Sequence, residues 1–535
     1  MADTSHDLDK RRDTSDTPCP APASEVRLLY VPRRIVLLAV SALLLFVYCP
    51  VLIGSYAFFD DYYYLQTFLK GGNSGARLWL YKRYIAFGRV SAIPLAHISF
   101  AHLHNISDVR YVRLSSVIAI AAVACLLYRR LTKVGWTDCQ SAFVALAVST
   151  MPPFQVLAAW AAAAQYAISA ALTGIAYEAF DSGFYRCSGL RRRALLLSAA
   201  AIEIISLTIN QSAGTYFIVF AAAALFAPTF GFYPRLGHFI RTIGVFFVCL
   251  CVAFAVDRVG VRLYGPLMGL DAARTAISLD VWGKLSWFIR FPLMNALNLC
   301  HFPSTSRVAM AIALFIAIGL PAYFTEIGGG QIISFVVALV LLVFGYLPNL
   351  VAAESWPSYR TQGTLSSLIV LYGFFALRGL LARAGKTDLL GLVLGAFAFT
   401  CCLLASLNVL TYFVIPQSIE LAVARYQVRQ IDLSTAHTLQ LRCSRATDSV
   451  APVVTYDEFG FPSSANWGDF GPEVALLLRE RGVDYRGLVI EFVRERDDTL
   501  VEPRNGIAVI DMHELANYRR RPPLVLPPVG ELPYP

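Results

Sequence analysis

Apolar runs long enough to cross a bilayer constrain this chain more than any other feature. The first extends from Ile35 to Phe59 without a charged side chain, beyond the about 20 residues that a spanning helix requires. It follows Arg33-Arg34 and is too long for the apolar core of a signal peptide, which predicts an uncleaved anchor with its basic end in the cytoplasm. Similar runs recur along most of the chain, so 57% of the residues are hydrophobic and only 15% charged, where soluble domains carry about 25% charge. That composition excludes a single soluble enzyme, a coiled coil and a disordered chain.

Further runs near 111–128, 140–155, 159–178, 194–211, 213–230, 239–256, 307–324, 331–348, 364–382 and 389–412 bring the expected total to eleven spans. The fold class predicted is therefore an all-α polytopic membrane protein. Residues 1–30 are polar and read as a disordered cytoplasmic tail, and residues 31–412 as the membrane domain. Residues 413–535 hold thirteen arginines and seventeen acids, the composition of a small soluble domain. An odd number of spans places that domain outside. Basic clusters at Arg129-Arg130-Lys133, Arg191-Arg192-Arg193 and Arg378-Arg383-Lys386 fall in the loops this assigns to the cytoplasm. The formal charge of +9 resides in such loops and marks topology, not nucleic-acid binding. Within the external domain an amphipathic stretch at 417–432, strands at 450–456, 487–493 and 506–512 and a helix at 472–482 predict a compact α/β unit. From Pro522 the chain is proline-rich and reads as extended. Most of the eleven cysteines lie inside apolar runs and show no metal spacing; Cys300 and Cys443 are the pair placed for an external disulfide.

Two external loops, 60–110 and 257–306, are long and basic. Their cations suit either anionic headgroups and phosphorylated substrates or plain interfacial snorkelling. The first loop opens with FFDDYYYL (58–65), where Asp60 and Asp61 stand at the edge of an apolar run. Carboxylates are costly to dehydrate there, which makes them candidates for chemistry, with helix capping as the alternative. Lys82, Arg83 and Arg89 follow in YKRYIAFGR (81–89); a guanidinium is always charged and grips phosphate through two donors, whereas interface anchoring needs no ligand. Glu354, Tyr359 and Arg360 fall together in ESWPSYRT (354–361), suited to a sugar head beside a phosphate or to a surface ion pair. Asn210 and Gln211 interrupt an apolar stretch, where amides serve hydroxyl groups or simply make a turn. The loop YDEFGFPSSANWGDF (456–470) adds Asp457, Glu458 and Asp469, as acceptor contacts or as ordinary loop chemistry.

Taken together these segments resemble the GT-C superfamily of polytopic glycosyltransferases, in particular bacterial enzymes that glucosylate O-antigen from a polyprenyl-phosphate sugar. The acidic pair Asp60-Asp61, the Gly88-Arg89 step, PPFQVLAAW (152–160), NQSAGTYF (210–217), ESWPSYRT and YDEFGFPSS carry the resemblance. Members often read Gly-Arg-Pro where Val90 follows Arg89 here. The resemblance implies an enzyme of the bacterial cytoplasmic membrane, facing outward, with a polyprenyl-phosphate-linked sugar as donor and a glycan or glycolipid as acceptor. It implies Asp60 or Asp61 as general base and Arg89 and Arg360 at the departing phosphate, and it leaves metal open, since some members use a divalent cation such as Mg or Mn. The competing class is a transporter or flippase of lipid-linked saccharides, for which internal repeats and mid-span ionisable residues are the signature. Glu203 is the one acid in the interior of an expected span, and no repeat is evident.

Overall fold

The computed structural model describes residues 32–69, 74–225, 232–268, 276–301, 309–310, 313–314, 316–317, 330–456, 458–483, 485, 487–493 and 506–519. The tail 1–30, most of the expected span at 307–324, Asp457 and the end from Pro522 lie outside the described residues.

The first run forms two helices, α1 (Arg33–Val47) and α2 (Cys49–Ile53), divided where Pro50 enters and closed at Gly54. Three short helices make up the loop expected to be the first external one: α3 (Asp60–Phe68), α4 (Ser74–Ala86) and α5 (Ala92–Phe100). Then come α6 (Val109–Lys133), α7 (Asp138–Ser149) and α8 (Pro152–Ala159). Pro152 and Pro153 cannot continue the α7 ladder, and the chain bends by 63° between the two helices. Every residue of α8 is buried, so this short helix is driven into the protein and carries the turn at 160–163 with it. Next come α9 (Ala164–Tyr185), α10 (Gly189–Ile209), α11 (Gln211–Gly214), α12 (Phe217–Leu225) and α13 (Phe232–Met268). Alanines such as Ala145, Ala158, Ala163 and Ala167 fill the central cluster, letting backbones approach closely as in membrane bundles.

Four described helices, Ile106–Lys133, Leu236–Tyr264, Gly363–Arg383 and Asp388–Gln430, are long and apolar enough to cross a membrane, and the bent α7–α8 pair makes a fifth if counted as one span. Among the described residues, four or five spans thus stand where the sequence predicts eleven over the whole chain. Helices occupy most of the expected places, but proline breaks shorten those at 35–59 and 140–155, while the Arg191–Arg193 run and Glu203 load α10 with charge. The last of the four passes through a π-turn at Leu410–Val414 and continues as Ile415–Gln430 into the C-terminal domain.

That domain holds a three-stranded parallel sheet of order β2-β1-β3, with β1 (Thr438–Arg442) central between β2 (Val489–Val493) and β3 (Ile507–Asp511). Leu439 pairs with Ile490 on one side and Ala508 on the other, and the crossover from β1 to β2 contains the helix Trp467–Glu480. The expected strand at 450–456 is not one: Pro452 interrupts it, and Ala451 and Val453 pack into the membrane-domain core instead. The true first strand is TLQLR, whose Leu439 and Leu441 alternate inward. Phe470, Val474 and Leu477 of the crossover helix share one apolar cluster with Leu65 and Phe68 of α3, so the C-terminal domain is packed directly on the α3 segment. The ten described cysteines, Cys300 and Cys443 among them, are free thiols, which removes the expected disulfide.

Candidate active site

Asp60 and Asp61 begin α3, and successive helical residues point about 100° apart. Asp61 turns inward and is fully buried. Its carboxylate accepts the backbone N–H groups of Phe58 (3.1 Å), Ala161 (3.3 Å) and Ala162 (2.6 Å). Burial pushes its carboxyl up to about 7, with these donors and the charge of Arg113 pulling the other way. Asp60 turns outward onto a cavity of about 530 Å³. The residue before it, Phe59, holds φ 48 and ψ −122, a left-handed conformation that a bulky side chain adopts only under constraint. Its N–H donates to Ser463 Oγ at 3.0 Å, and its ring packs on Phe58, Trp160 and Phe461.

Arg89 reaches the same cavity from the turn after α4. Gly88 makes that turn at φ 66, and α13 comes so close that a Cβ on Gly88 would lie 2.5 Å from the Asp257 Cβ. Only glycine fits both demands. The Arg89 guanidinium lies 5.8 Å from the ring centres of Phe87 and Tyr166, and Nη1 donates to Tyr166 Oη at 3.3 Å. Its buried Nε has no hydrogen-bond partner among the described residues. Burial of Arg89 opposes its charge, as does nearby Arg360, while Tyr166, Tyr84 and Tyr64 favour it, and the balance raises its already high pKa.

Arg360 comes from the opposite wall, its guanidinium 4.4 Å over the Trp160 ring. Arg83 lines the cavity beside Asp60, seated over Trp79 at 5.3 Å. Asn210 caps α11 through Ala213 N at 2.9 Å, and Gln211 Nε2 donates to Phe87 O at 3.2 Å; both side chains border the cavity. Glu354 borders it as well, on a loop that Lys284 pins through Glu354 O (2.7 Å) and Ser355 Oγ (3.1 Å). Lys284, one of the basic residues of the 257–306 segment, is therefore spent on structure, and burial lowers its pKa.

Asp60, Arg83, Arg89, Asn210, Gln211, Glu354 and Arg360 thus meet around one void. Asp61, Lys82 and Tyr359 are not on its wall. Lys82 is half-buried on the side of α4 away from the cavity lining, and Tyr359 points inward, its Oη 3.3 Å from His301 Nδ1. Several wall residues have no counterpart among the sequence candidates. Asp257 and Arg258 stand late in α13 as a 2.5 Å ion pair; a carboxylate just beyond an apolar run was their available signal, the same one that flagged Asp60. Tyr84 Oη donates to Tyr64 Oη at 2.8 Å and meets Gln165 Nε2 at 3.2 Å, forming a hydroxyl and amide surface next to Asp60. Asp469 lies behind Asp60; burial first, and then the Asp60 charge, push its carboxyl up to about 8.

No family model and no curated protein matches the sequence. Two solved structures are similar in shape to this chain. The Archaeoglobus fulgidus oligosaccharyltransferase, solved as a complex with Zn and sulfate, aligns over 83% of this chain at 11% identity with a TM-score of 0.42. This chain covers only 61% of that protein's length. ArnT from Cupriavidus metallidurans, in the apo state, aligns over 87% of this chain and 86% of its own at 14% identity, with a TM-score of 0.35. Likenesses of this size do not fix a fold, and the cavity has to speak for itself.

Among the described residues no group of three or more His, Cys, Asp or Glu side chains is placed to hold a metal ion. Of the wall carboxylates, Asp257 is engaged by Arg258, and Asp60 and Glu354 are the ones that would hold a divalent cation together with water and phosphate. No step below runs through a metal.

Proposed function

We propose that the protein is a glycosyltransferase of the bacterial cytoplasmic membrane that moves a hexose from a polyprenyl-phosphate sugar to a glycan or glycolipid on the extracytoplasmic side. The observation that carries this reading is a single cavity whose wall brings the Asp60 carboxylate together with the guanidiniums of Arg89 and Arg360, which rest on the aromatic faces of Tyr166 and Trp160. An amphiphile with a sugar and a phosphate matches that set. Phe247 and Phe254 of α13 extend the lining and are themselves exposed on the outer surface, which supports entry of a lipid chain from the bilayer. Nucleotide sugars are absent outside the cytoplasm, consistent with a chain that has no glycine-rich phosphate loop.

In this scheme Asp60 takes the proton of the acceptor hydroxyl as that oxygen bonds to the anomeric carbon. The bond from the anomeric carbon to the phosphate oxygen breaks, its electron pair leaves on the phosphate, and Arg89 and Arg360 neutralise the charge that develops there. Attack opposite the leaving group inverts the anomeric carbon. Asp61 supports the reaction indirectly by holding the start of α3 against the 160–163 turn. Tyr64, Tyr84, Gln165, Asn210 and Gln211 offer hydroxyls and amides to sugar hydroxyls. Mass spectrometry of surface and lipid-linked glycans from cells lacking the protein tests the reading. A glycan that is exported one sugar short, restored by wild type and not by Asp60→Asn, is the expected result; complete glycans accumulating on the inner side would make the protein a transporter.

A further inference from the structure

Glu458 belongs to the C-terminal domain and is fully buried against the membrane domain. Its Oε1 accepts Ser358 Oγ at 2.5 Å and the Arg360 N–H at 3.0 Å, and its Oε2 accepts the Tyr359 N–H at 2.6 Å. Those donors form the start of the one-turn 3₁₀ helix Tyr359–Thr361, whose leading N–H groups have no partner within the turn. Two backbone donors and a hydroxyl converging on one group require an acceptor-only carboxylate. An amide would turn its own N–H groups toward one of them.

The carboxylate is itself held rigidly. Thr455 and Phe459 form an isolated antiparallel bridge around it, and Tyr456 takes φ 53 in the turn. Phe459 stacks on His301 with centroids 3.9 Å apart and meets Tyr359 edge-on at 5.2 Å. Asn295 Nδ2 ties Tyr456 Oη (3.1 Å) to Pro357 O (3.3 Å). The turn that presents Arg360 is therefore clamped from the C-terminal domain, and Arg360 then extends over Trp160 into the cavity.

We infer that Glu458 is the positioning residue of Arg360, and that the C-terminal domain governs how tightly the cavity holds a lipid phosphate through this one carboxylate. The inference rests on the reading of Arg360 as a phosphate-binding residue. A double-mutant cycle tests it on the full-length protein in nanodiscs, with a radiolabelled polyprenyl monophosphate as probe and the uncharged polyprenol as control. Glu458→Gln and Arg360→Ala are each expected to weaken monophosphate binding about tenfold, to leave polyprenol binding unchanged, and to cost no more together than Arg360→Ala alone. Should Glu458→Gln fail to fold, Ser358→Ala removes one donor and leaves the carboxylate in place; it is expected to weaken monophosphate binding about twofold, and only while Arg360 is present. Losses that multiply in the double variant, Glu458→Gln binding like wild type, or a wild type that prefers polyprenol equally would each overturn the inference. If the cycle closes as expected but no hexose transfer is found, the clamp stands and the proposed transferase activity fails.

Discussion

Two arginines a short distance apart in sequence are used in opposite ways. Arg113 lies fully buried beneath the bend that joins α2 to α3, and all of its nitrogens are engaged: Nε with Val51 O (2.8 Å), Nη1 with Tyr56 O (2.8 Å) and Nη2 with Gly54 O (2.7 Å), with the Tyr56 ring 3.9 Å away. Its acidic neighbour Asp61 is equally committed, to three backbone N–H groups. Around the cavity, Arg89 keeps a buried Nε without a partner and faces a tyrosine where a structural arginine would face carbonyls or a carboxylate. Asp60, one residue from Asp61, borders the void. Burial alone therefore does not mark function here. What separates Arg113 and Asp61 from Arg89 is whether the buried polar atoms are already engaged by described residues.

The largest expected effect tests the acidic half of that contrast. Asp60→Asn should lower hexose transfer by about 10²- to 10⁴-fold, the usual worth of a general base, with unchanged yield of folded protein, measured by transfer from a polyprenyl-phosphate sugar in detergent. Arg113→Ala should act on the fold instead, costing about 3–5 kcal/mol because three buried carbonyls lose a charged donor; the check is the thermal midpoint and the amount inserted in the membrane. Arg89→Met sharpens the comparison. Transfer should drop about 10- to 100-fold, yet the thermal midpoint should match or exceed that of wild type, because a buried charge without a carboxylate partner is removed. A midpoint as low as that of Arg113→Ala would erase the distinction between the two arginines.

The smallest effect concerns pH. Since burial raises the Asp61 carboxyl from its ordinary value to about 7, the folded state holds this proton more tightly than the unfolded chain. The stability linked to it is complete below about pH 4 and is lost as pH rises through about 7. Thermal midpoints recorded from pH 4 to 8 should fall for wild type relative to Asp61→Asn, while transfer per folded molecule stays within about threefold for that variant. A flat difference would mean that Asp61 stays ionised throughout.

Much of this was legible in the sequence, and the rest failed for identifiable reasons. Apolar runs located the helices, because a bilayer demands length and low charge whatever the packing. The prolines at 152–153 stood in plain view, but a bend inside a buried pair changes what counts as a span. Charged and amide residues on the edges of apolar runs led to Asp60, Arg83, Arg89, Asn210, Gln211, Glu354 and Arg360, since such placements are costly unless used. Adjacent Asp60 and Asp61 were indistinguishable, as only the rotation of α3 decides which one turns inward. Glu458 was visible as a loop acid, but its partners lie about a hundred residues away, at Ser358, Tyr359 and Arg360, and no local pattern reports such a meeting. In the C-terminal domain the richer apolar run at 450–456 masked the sparser alternation of Thr438–Arg442, which forms the central strand.

The helix Asp388–Gln430 has a mechanical consequence. It is 43 residues long, roughly 65 Å at 1.5 Å per residue, about twice the thickness of a hydrocarbon core. Its far end grips the 461–464 segment through Gln417 and Glu420, with Gln417 Nε2 donating to Phe461 O and Glu420 accepting Ser463 N and Ser464 N. Ser463 in turn accepts the N–H of Phe59, next to Asp60. One continuous helix therefore connects a segment apolar enough to cross a membrane with the backbone beside the proposed base. A shift of this helix along its axis would then be carried to the cavity as a change in the height of its acidic rim.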